Sequence, residues 1–487
     1  MSVGCLPGRD LINIVGTIRA RKDFDSLQRP QQLDRIAQGR KILNTLKIPP
    51  EALVPPPTTP PAELLHLPTA VRNSIRTIPS INIPCEKQMN KLKKELAVTH
   101  GTATKKFTLH QPGKPPIHGS FISDPITLFR KFILTVNVRF AVGGDTGAGQ
   151  TKLGVTYSRN DVQYFISFLN YEGMDDVDCM HALAHEAITI FTGESAVYPH
   201  IFALLQHLLD SHPNSVLNGD WCFINVVRGI MGPCATHPCP ICVVGKKNFI
   251  GVAARPRITG DPFSRDPFYP HLLDVPPERV VPTPLHVCLG ISNYILSDGL
   301  TAIFNEKLVA DVVQTVKTTH SPGHGGRGDY FALNGQEISK FLDRDCFTAV
   351  RTAAAASGMV ITRQIDARLD RLKRWMWELH NNLLHARTWT DDEISHWRIV
   401  VDEIQQGCKE FINKNPFPKL HMLSHTVEFA VANHYLGKLG ESQIESYHAT
   451  FNRIYERHKN SSHHTPERMR RSHADLTLCA IQPLLLK

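Results

Sequence analysis

Two aspartates stand among small residues: Asp145 in Gly143-Gly144-Asp145-Thr146-Gly147, and Asp220 in Asn218-Gly219-Asp220. Glycine turns a backbone with no Cβ in the way, so both carboxylates are expected to sit uncovered at strand ends. A third acid has to come from elsewhere, and Leu439–Tyr455 (LGESQIESYHATFNRIY) has helical spacing. Glu441 and Glu445 lie four apart on one face, which His448 and Asn452 continue, with Arg453 and Arg457 beside it. Two strand-borne aspartates facing one helix-borne glutamate form the donor set of two-metal phosphoryl transfer. Hard carboxylate oxygens hold two Mg²⁺ (or Mn²⁺) ions ~4 Å apart, one at the attacking and one at the leaving oxygen. One such acid alone is more often a helix cap or a surface charge; the set carries the reading. The glycines do not make a P-loop, because Gly-Lys-Ser/Thr does not follow them.

A second set joins Cys239-Pro240-Ile241-Cys242 to His421-Met422-Leu423-Ser424-His425. A CxxC turn presents two thiolates on one side, and two histidines at i, i+4 present two nitrogens from one helical face. Together they make a closed tetrahedral Cys₂His₂ set, which suits structural Zn²⁺. The long gap between the pairs is unlike a small zinc finger, so the metal would staple distant parts of one domain. Read singly, the CxxC also suits a redox pair and the HxxxH a buried pair satisfied by its neighbours. Cys234 and His237 compete as ligands.

These residues need elements to position them. Phe132–Val142 is β-branched and aromatic and ends at Gly143-Gly144, which predicts a buried strand and a turn. Lys152–Tyr157 and Val162–Leu169 read as the next two strands, Ser195–Leu209 as a helix, and Ser215–Asp220 as a short strand ending in a carboxylate. The class is α/β, with a mixed sheet. Beyond Asp220 the pattern is mainly helical, as in Leu369–Leu384 and Asp391–Phe411, with Pro262–Pro284 and Gly323–Gly328 as connectors. Before the strands, Gln28–Leu46 has helical spacing. Pro49–Pro61, with seven prolines, reads as an extended linker. Cys85–Val98 reads as a basic amphipathic helix suited to DNA or to a partner subunit.

At 487 residues and 42% hydrophobic, the chain buries ample core and is no disordered tail. No run reaches the ~18 apolar residues of a membrane span. The opening residues lack a basic start, and Asp10 and Asn13 interrupt their apolar run, so no secretory leader is expected. Eleven cysteines spread over this length are not a disulfide scaffold. The expectation is a soluble intracellular protein. Its formal charge of +9 fits a polyanionic partner such as nucleic acid, as it also fits an ordinary basic protein.

The order Asp145, Asp220, CxxC, HxxxH, Glu445 resembles that of the RAG-type V(D)J recombinase catalytic subunit and its Transib transposase relatives. Asp220 precedes Cys239 by 19 positions and His425 precedes Glu445 by 20, close to the spacing in that family. Pro284-Leu285-His286-Val287-Cys288, leading into Ile291-Ser292-Asn293, resembles its Leu-His segment after the CxxC. Gly328–Phe341 resembles its Asn-Gly helix start, and Ile83–Gly101 faintly resembles the segment before its core. The likeness spans about residues 80–460 through short motifs. The two histidines stand one residue closer than in the family pattern, and the N-terminal region carries no match to its DNA-end-binding module.

The resemblance implies an RNase H-like core interrupted by a long, mainly helical, zinc-bearing insertion. The expected organisation is an N-terminal helical and Pro-rich segment (1–61), a basic helical pre-catalytic region (62–130), the first part of the core (131–220), the insertion (221–438), and the glutamate helix with a basic end (439–487). It implies a DDE-type DNA transposase or recombinase, or a host gene derived from one. Asp145, Asp220 and Glu445 would hold Mg²⁺, and Cys239, Cys242, His421 and His425 would hold Zn²⁺. Arg453, Arg457, Lys459, Arg468, Arg470 and Arg471 would meet phosphates. Double-stranded DNA as partner, a homodimer, no membrane and a nuclear location complete the expectation. The rivals are a catalytically silent DNA-binding descendant and an RNase H-like nuclease acting on RNA.

Overall fold

The computed structural model describes most of residues 101–485 and four helical positions before them (Lys91, Glu95, Ala97 and Thr99). Residues 1–90 and several internal stretches, the longest being 318–330, lie outside the described residues. The expected helix at Gln28–Leu46, the linker at Pro49–Pro61 and the Gly323–Gly328 connector fall there.

Six strands form one mixed sheet: β1 (Thr104–Leu109), β2 (Ile117–Ile122), β3 (Phe140–Gly147), β4 (Gln150–Arg159), β5 (Val162–Glu172) and β6 (Val216–Gly219). Their order is β1-β2-β5-β4-β3-β6, antiparallel throughout except that β6 runs parallel to β3. The β3-β4-β5 meander needs only short turns, whereas the parallel β6 needs a crossover. That crossover contains α2 (Asp176–His185) and α3 (Ile201–Ser211). The outer edge of β6 is covered where the chain returns: Val281 N–H donates to the Leu217 carbonyl at 2.9 Å.

Two expectations need correction. Of the strand expected over Phe132–Val142, Phe132 belongs to α1 (Pro125–Phe132), and residues 134–138 lie outside the described residues. Pro125 fits the first helical turn, and the Asp124 side chain caps it by accepting from Thr127 N–H. The strand then begins at Phe140 and runs through Gly143-Gly144 to Gly147 instead of turning there. The region expected to be basic and helical over 62–130 also contributes β1 and β2 to the sheet. Phe107, Leu109, Ile117 and Phe121 alternate inward from these short strands.

The sheet is covered on both faces. Phe165 joins Ile444, Tyr447, Phe451, Tyr455, Met469 and Leu476 from α12 (Ser442–His458) and α13 (Thr465–Leu485). The adjacent Ile166 joins the main core instead, as alternation along a strand requires.

After α4 (Trp221–Val227) the described chain is largely irregular until α5 (Pro284–Tyr294), and mainly helical from there on. The following helices are α6 (Glu306–Gln314), α7 (Gly335–Asp343), α8 (Cys346–Ala356), α9 (Arg363–Leu384), α10 (Asp391–Ile412) and α11 (Pro418–Asn433). The Asn-Gly start of α7 is a full capping box between Asn334 and Glu337. Trp375 of α9 and Trp397 of α10 are completely buried. Trp397 Nε1–H donates to Thr426 Oγ1 at 2.9 Å, and Gln405 donates to the Leu420 carbonyl at 3.0 Å, so α10 fixes α11 in place. Among the described residues no helix is long and apolar enough to cross a membrane.

Candidate active site and metal centre

Parallel pairing of β3 with β6 sets Gly144 opposite Gly219, so Asp145 and Asp220 follow at the same level of neighbouring strands. Asp220 caps α4, its Oδ1 accepting from Phe223 N–H at 2.6 Å. Gly219 has φ +146°, and a Cβ there would fall 2.4 Å from the Phe223 ring. The small residues therefore admit neighbouring groups and do not leave the carboxylates bare: Asp145 is 2% exposed. That corrects the expectation of two uncovered acids. Burial, reinforced by Asp145 and Glu441, pushes the Asp220 carboxyl up to about 6, against its Phe223 hydrogen bond and the charge of His286.

Glu441 and Glu445 both reach His286 of α5. Glu441 Oε1 accepts from the His286 backbone N–H at 2.9 Å and lies 3.2 Å from its Nδ1, while Glu445 Oε1 lies 3.5 Å from Nε2. Burial lowers the basicity of His286, but the two glutamates and Asp220 outweigh it and push the imidazole up to about 10. Glu441 is fully buried and its Oε2 has no hydrogen-bond partner, whereas the Glu445 side chain is 41% exposed. Glu441 stands just before α12 instead of on its face, with Glu445 inside the helix, and the two differ: one is enclosed and the other is open to solvent.

Lys152, opposite Asp145 across the β3–β4 pair, is fully buried. It donates to His448 Nδ1 at 2.6 Å, and His448 Nε2 lies 3.0 Å from Asp145 Oδ2. Burial pulls the Lys152 ammonium down to about 7, although Asp145 and Glu445 oppose this. Sequence reasoning placed His448 on the glutamate face but missed Lys152 as a site residue. A lysine opening the expected strand Lys152–Tyr157, opposite the Asp145 segment, was the available signal. His286 entered that reasoning only through the family likeness. Its signal was a histidine between apolar residues just after a helix-starting proline.

The second set converges. Cys239, Cys242, His421 and His425 are buried, with their ligand atoms within 4.8 Å of one another. Cys239 Sγ lies 3.5 Å from His425 Nε2 and Cys242 Sγ 3.2 Å from His421 Nε2. Outer contacts set the tautomers. His421 Nδ1–H donates to the Phe249 carbonyl at 3.1 Å and His425 Nδ1–H to Glu428 Oε2 at 2.7 Å, which turns both Nε2 lone pairs toward the sulfurs. Ile241 and Cys242 N–H donate to Cys239 Sγ at 3.4 Å each. The Cys239 side chain first, and the two histidines beside it, hold the Cys242 thiol low against burial, so it is the readier thiolate. The donor set fits a structural metal such as zinc, with no open position. Of the competing ligands, His237 stands outside the group and packs on Phe263, and Cys234 lies outside the described residues.

Polar contacts tie the two sets together. Trp221 Nε1 and Asn225 Nδ2, on the helix that Asp220 starts, donate to the Pro238 carbonyl at 3.1 and 3.2 Å. Arg228 donates to the Pro240 carbonyl at 2.6 Å, and Arg257 to those of Cys239 and His237 at 2.8 Å each. On the other side, α11 leads through Gly437–Leu439 into the glutamate helix.

The basic candidates are not one free surface. Arg453 is exposed. Arg470 and Arg471 are paired with Glu467, at 2.6 and 2.9 Å, and Arg468 lies 4.8 Å over the Tyr455 ring. Arg457 lies on α12, and Lys459 is outside the described residues. No protein-family model matches the chain, and no curated protein matches it.

Proposed function

We propose that the chain is a DDE-type DNA transposase or recombinase, or a domesticated descendant of one, built on an RNase H-like core. The observation that carries the reading is the parallel register of Gly144 with Gly219, which sets Asp145 beside Asp220 under the helix of Glu445, which Glu441 immediately precedes. A three-strand meander with a fourth strand parallel to its first supports the core assignment.

The carboxylate oxygens of Asp145, Asp220 and Glu445 are hard donors, a set that fits hard cations. Asp145, Asp220 and Glu445 would hold Mg²⁺. When bound, the ions supply charge stabilisation at the attacking and leaving oxygens of a phosphodiester. Glu445 is the third acid in this reading because its half-exposed carboxylate meets solvent, where DNA approaches. Glu441, held by two nitrogens of His286, orients that histidine. The reaction is hydrolytic nicking followed by attack of the freed 3′-OH on a second phosphodiester, without a covalent enzyme intermediate. Cys239, Cys242, His421 and His425 would hold a structural Zn²⁺. Arg453 with Arg457 and Lys459, and Arg468, Arg470 and Arg471 once Glu467 releases its pairs, would meet the DNA backbone. A homodimer acting on double-stranded DNA in the nucleus belongs to the same proposal.

One observation favours a second reading, a catalytically silent DNA-binding descendant: Asp145 is enclosed and already engaged by His448. Nicking of a labelled duplex with Mg²⁺ or Mn²⁺ decides between them. Wild-type nicking that Glu445→Gln abolishes supports the enzyme, and metal-independent binding without nicking supports the silent protein.

A further inference from the structure

We infer that Lys152 is the positioning residue of Asp145, acting through the His448 ring. The inference rests on reading Asp145 as a metal-holding acid. Paired residues of antiparallel strands share a sheet face, so the register of Asp145 with Lys152 sends both side chains toward α12. There the lysine reaches no solvent: its Nζ lies 2.6 Å from His448 Nδ1 and 3.2 Å from Gln150 Oε1, and 5.0 Å from the centre of the Phe451 ring.

An ammonium only donates, so His448 Nδ1 must accept and Nε2 must carry the hydrogen. That Nε2–H donates to the Asp145 carbonyl at 3.2 Å, and Nε2 lies 3.0 Å from Asp145 Oδ2. The lysine thereby selects the neutral tautomer that holds the Asp145 backbone and turns an N–H toward its carboxylate. A flipped ring would present a bare lone pair to a carboxylate and repel it.

The test uses the full chain with ¹⁵N-labelled histidine at pH 6, where Lys152 is the ammonium, the His448 signals being identified by their loss in His448→Gln. Wild type is expected to show Nδ1 bare and Nε2 protonated. Lys152→Met should lose that pattern and weaken Mn²⁺ binding about tenfold, at unchanged zinc content. Lys152→Gln, which restores a donor, should recover the tautomer and most of the Mn²⁺ affinity; a lysine needed only for packing would not separate Met from Gln. A wild-type ring protonated on Nδ1, or a His448 pattern unchanged in Lys152→Met, overturns the inference. If wild type binds no Mn²⁺, Asp145 is not a metal-holding acid and its positioning for metal falls with that reading. The tautomer result still shows whether Lys152 sets His448.

Discussion

The side-chain amide of Asn218 donates to the carbonyl of Leu439 at 2.9 Å, joining the strand that ends at Asp220 to the turn that opens the glutamate helix. Gly143 makes room for the contact, since a Cβ there would lie 1.6 Å from Asn218 Oδ1. Gly143→Ala should therefore cost about 3 kcal/mol or more of stability through overpacking. Asn218→Ala should cost about 1–3 kcal/mol through the unpaired carbonyl it leaves. Urea denaturation of both variants checks the order; an unperturbed Gly143→Ala would refute the packing argument.

One zinc per chain is expected by elemental analysis, and none in Cys239→Ser/Cys242→Ser, with a lower Tm because metal binding is folding energy. Glu428→Ala keeps all four ligands but removes the acceptor that orients His425. It should weaken zinc about tenfold, measured against a chelator of known affinity. Zinc that survives the double cysteine change would place the metal elsewhere.

Contacts from Trp221, Asn225 and Arg228 to the CxxC loop predict that the metal centre holds the acids in register. Stripping zinc should abolish nicking even in excess Mg²⁺, since a site ~1 Å too loose loses most of its rate. Glu445→Gln should abolish nicking too, with zinc content, folding and DNA binding retained. A zinc-free protein that folds and nicks at the wild-type rate would show the cluster to be peripheral.

His473 of α13 is wholly buried. Its Nε2–H donates to the Ser167 carbonyl at 2.7 Å and its Nδ1 pairs with Ser120 Oγ at 3.0 Å. Burial, with the charge of Lys152, holds its pKa down to about 4, below the 6.5 of a free histidine. Between these values the unfolded chain binds the proton and the folded chain does not, so stability falls as pH drops from about 6.5 to 4. The loss should reach roughly 3 kcal/mol. His473→Gln should flatten that part of the pH–stability curve, as read by denaturation between pH 4 and 7.

Much of this was legible in the sequence. The CxxC and HxxxH pairs announce themselves because a metal set needs four specific side chains at fixed local spacing. The strands read at Lys152–Tyr157 and Val162–Leu169 fall within β4 and β5, which extend further. What escaped was decided by distant packing. Gly143 and Gly144 look like a turn, yet they sit mid-strand because Asn218 and Phe223, some 75 positions on, need the space. Thr104–Leu109 and Ile117–Ile122 are too short and too polar to show a strand period against basic neighbours. Lys152 looks like a surface charge until α12 closes over it. Two glutamates four apart cannot be told apart by spacing; folding leaves Glu441 just before α12, enclosed against the His286 backbone, and Glu445 within the helix, open to solvent.

The two halves of the metal centre also differ in when they exist. Cys242 and His421 stand 179 positions apart. At roughly 5–20 residues per second of synthesis, the thiols precede their histidines by about ten to forty seconds. For that interval the CxxC loop is an exposed dithiol with no nitrogen partner, open to oxidation or to whatever metal the cell offers. The glutamate helix follows later still. A growing chain therefore carries both aspartates before Glu441 and Glu445 exist, and the chemistry proposed for this site would have to wait for that helix.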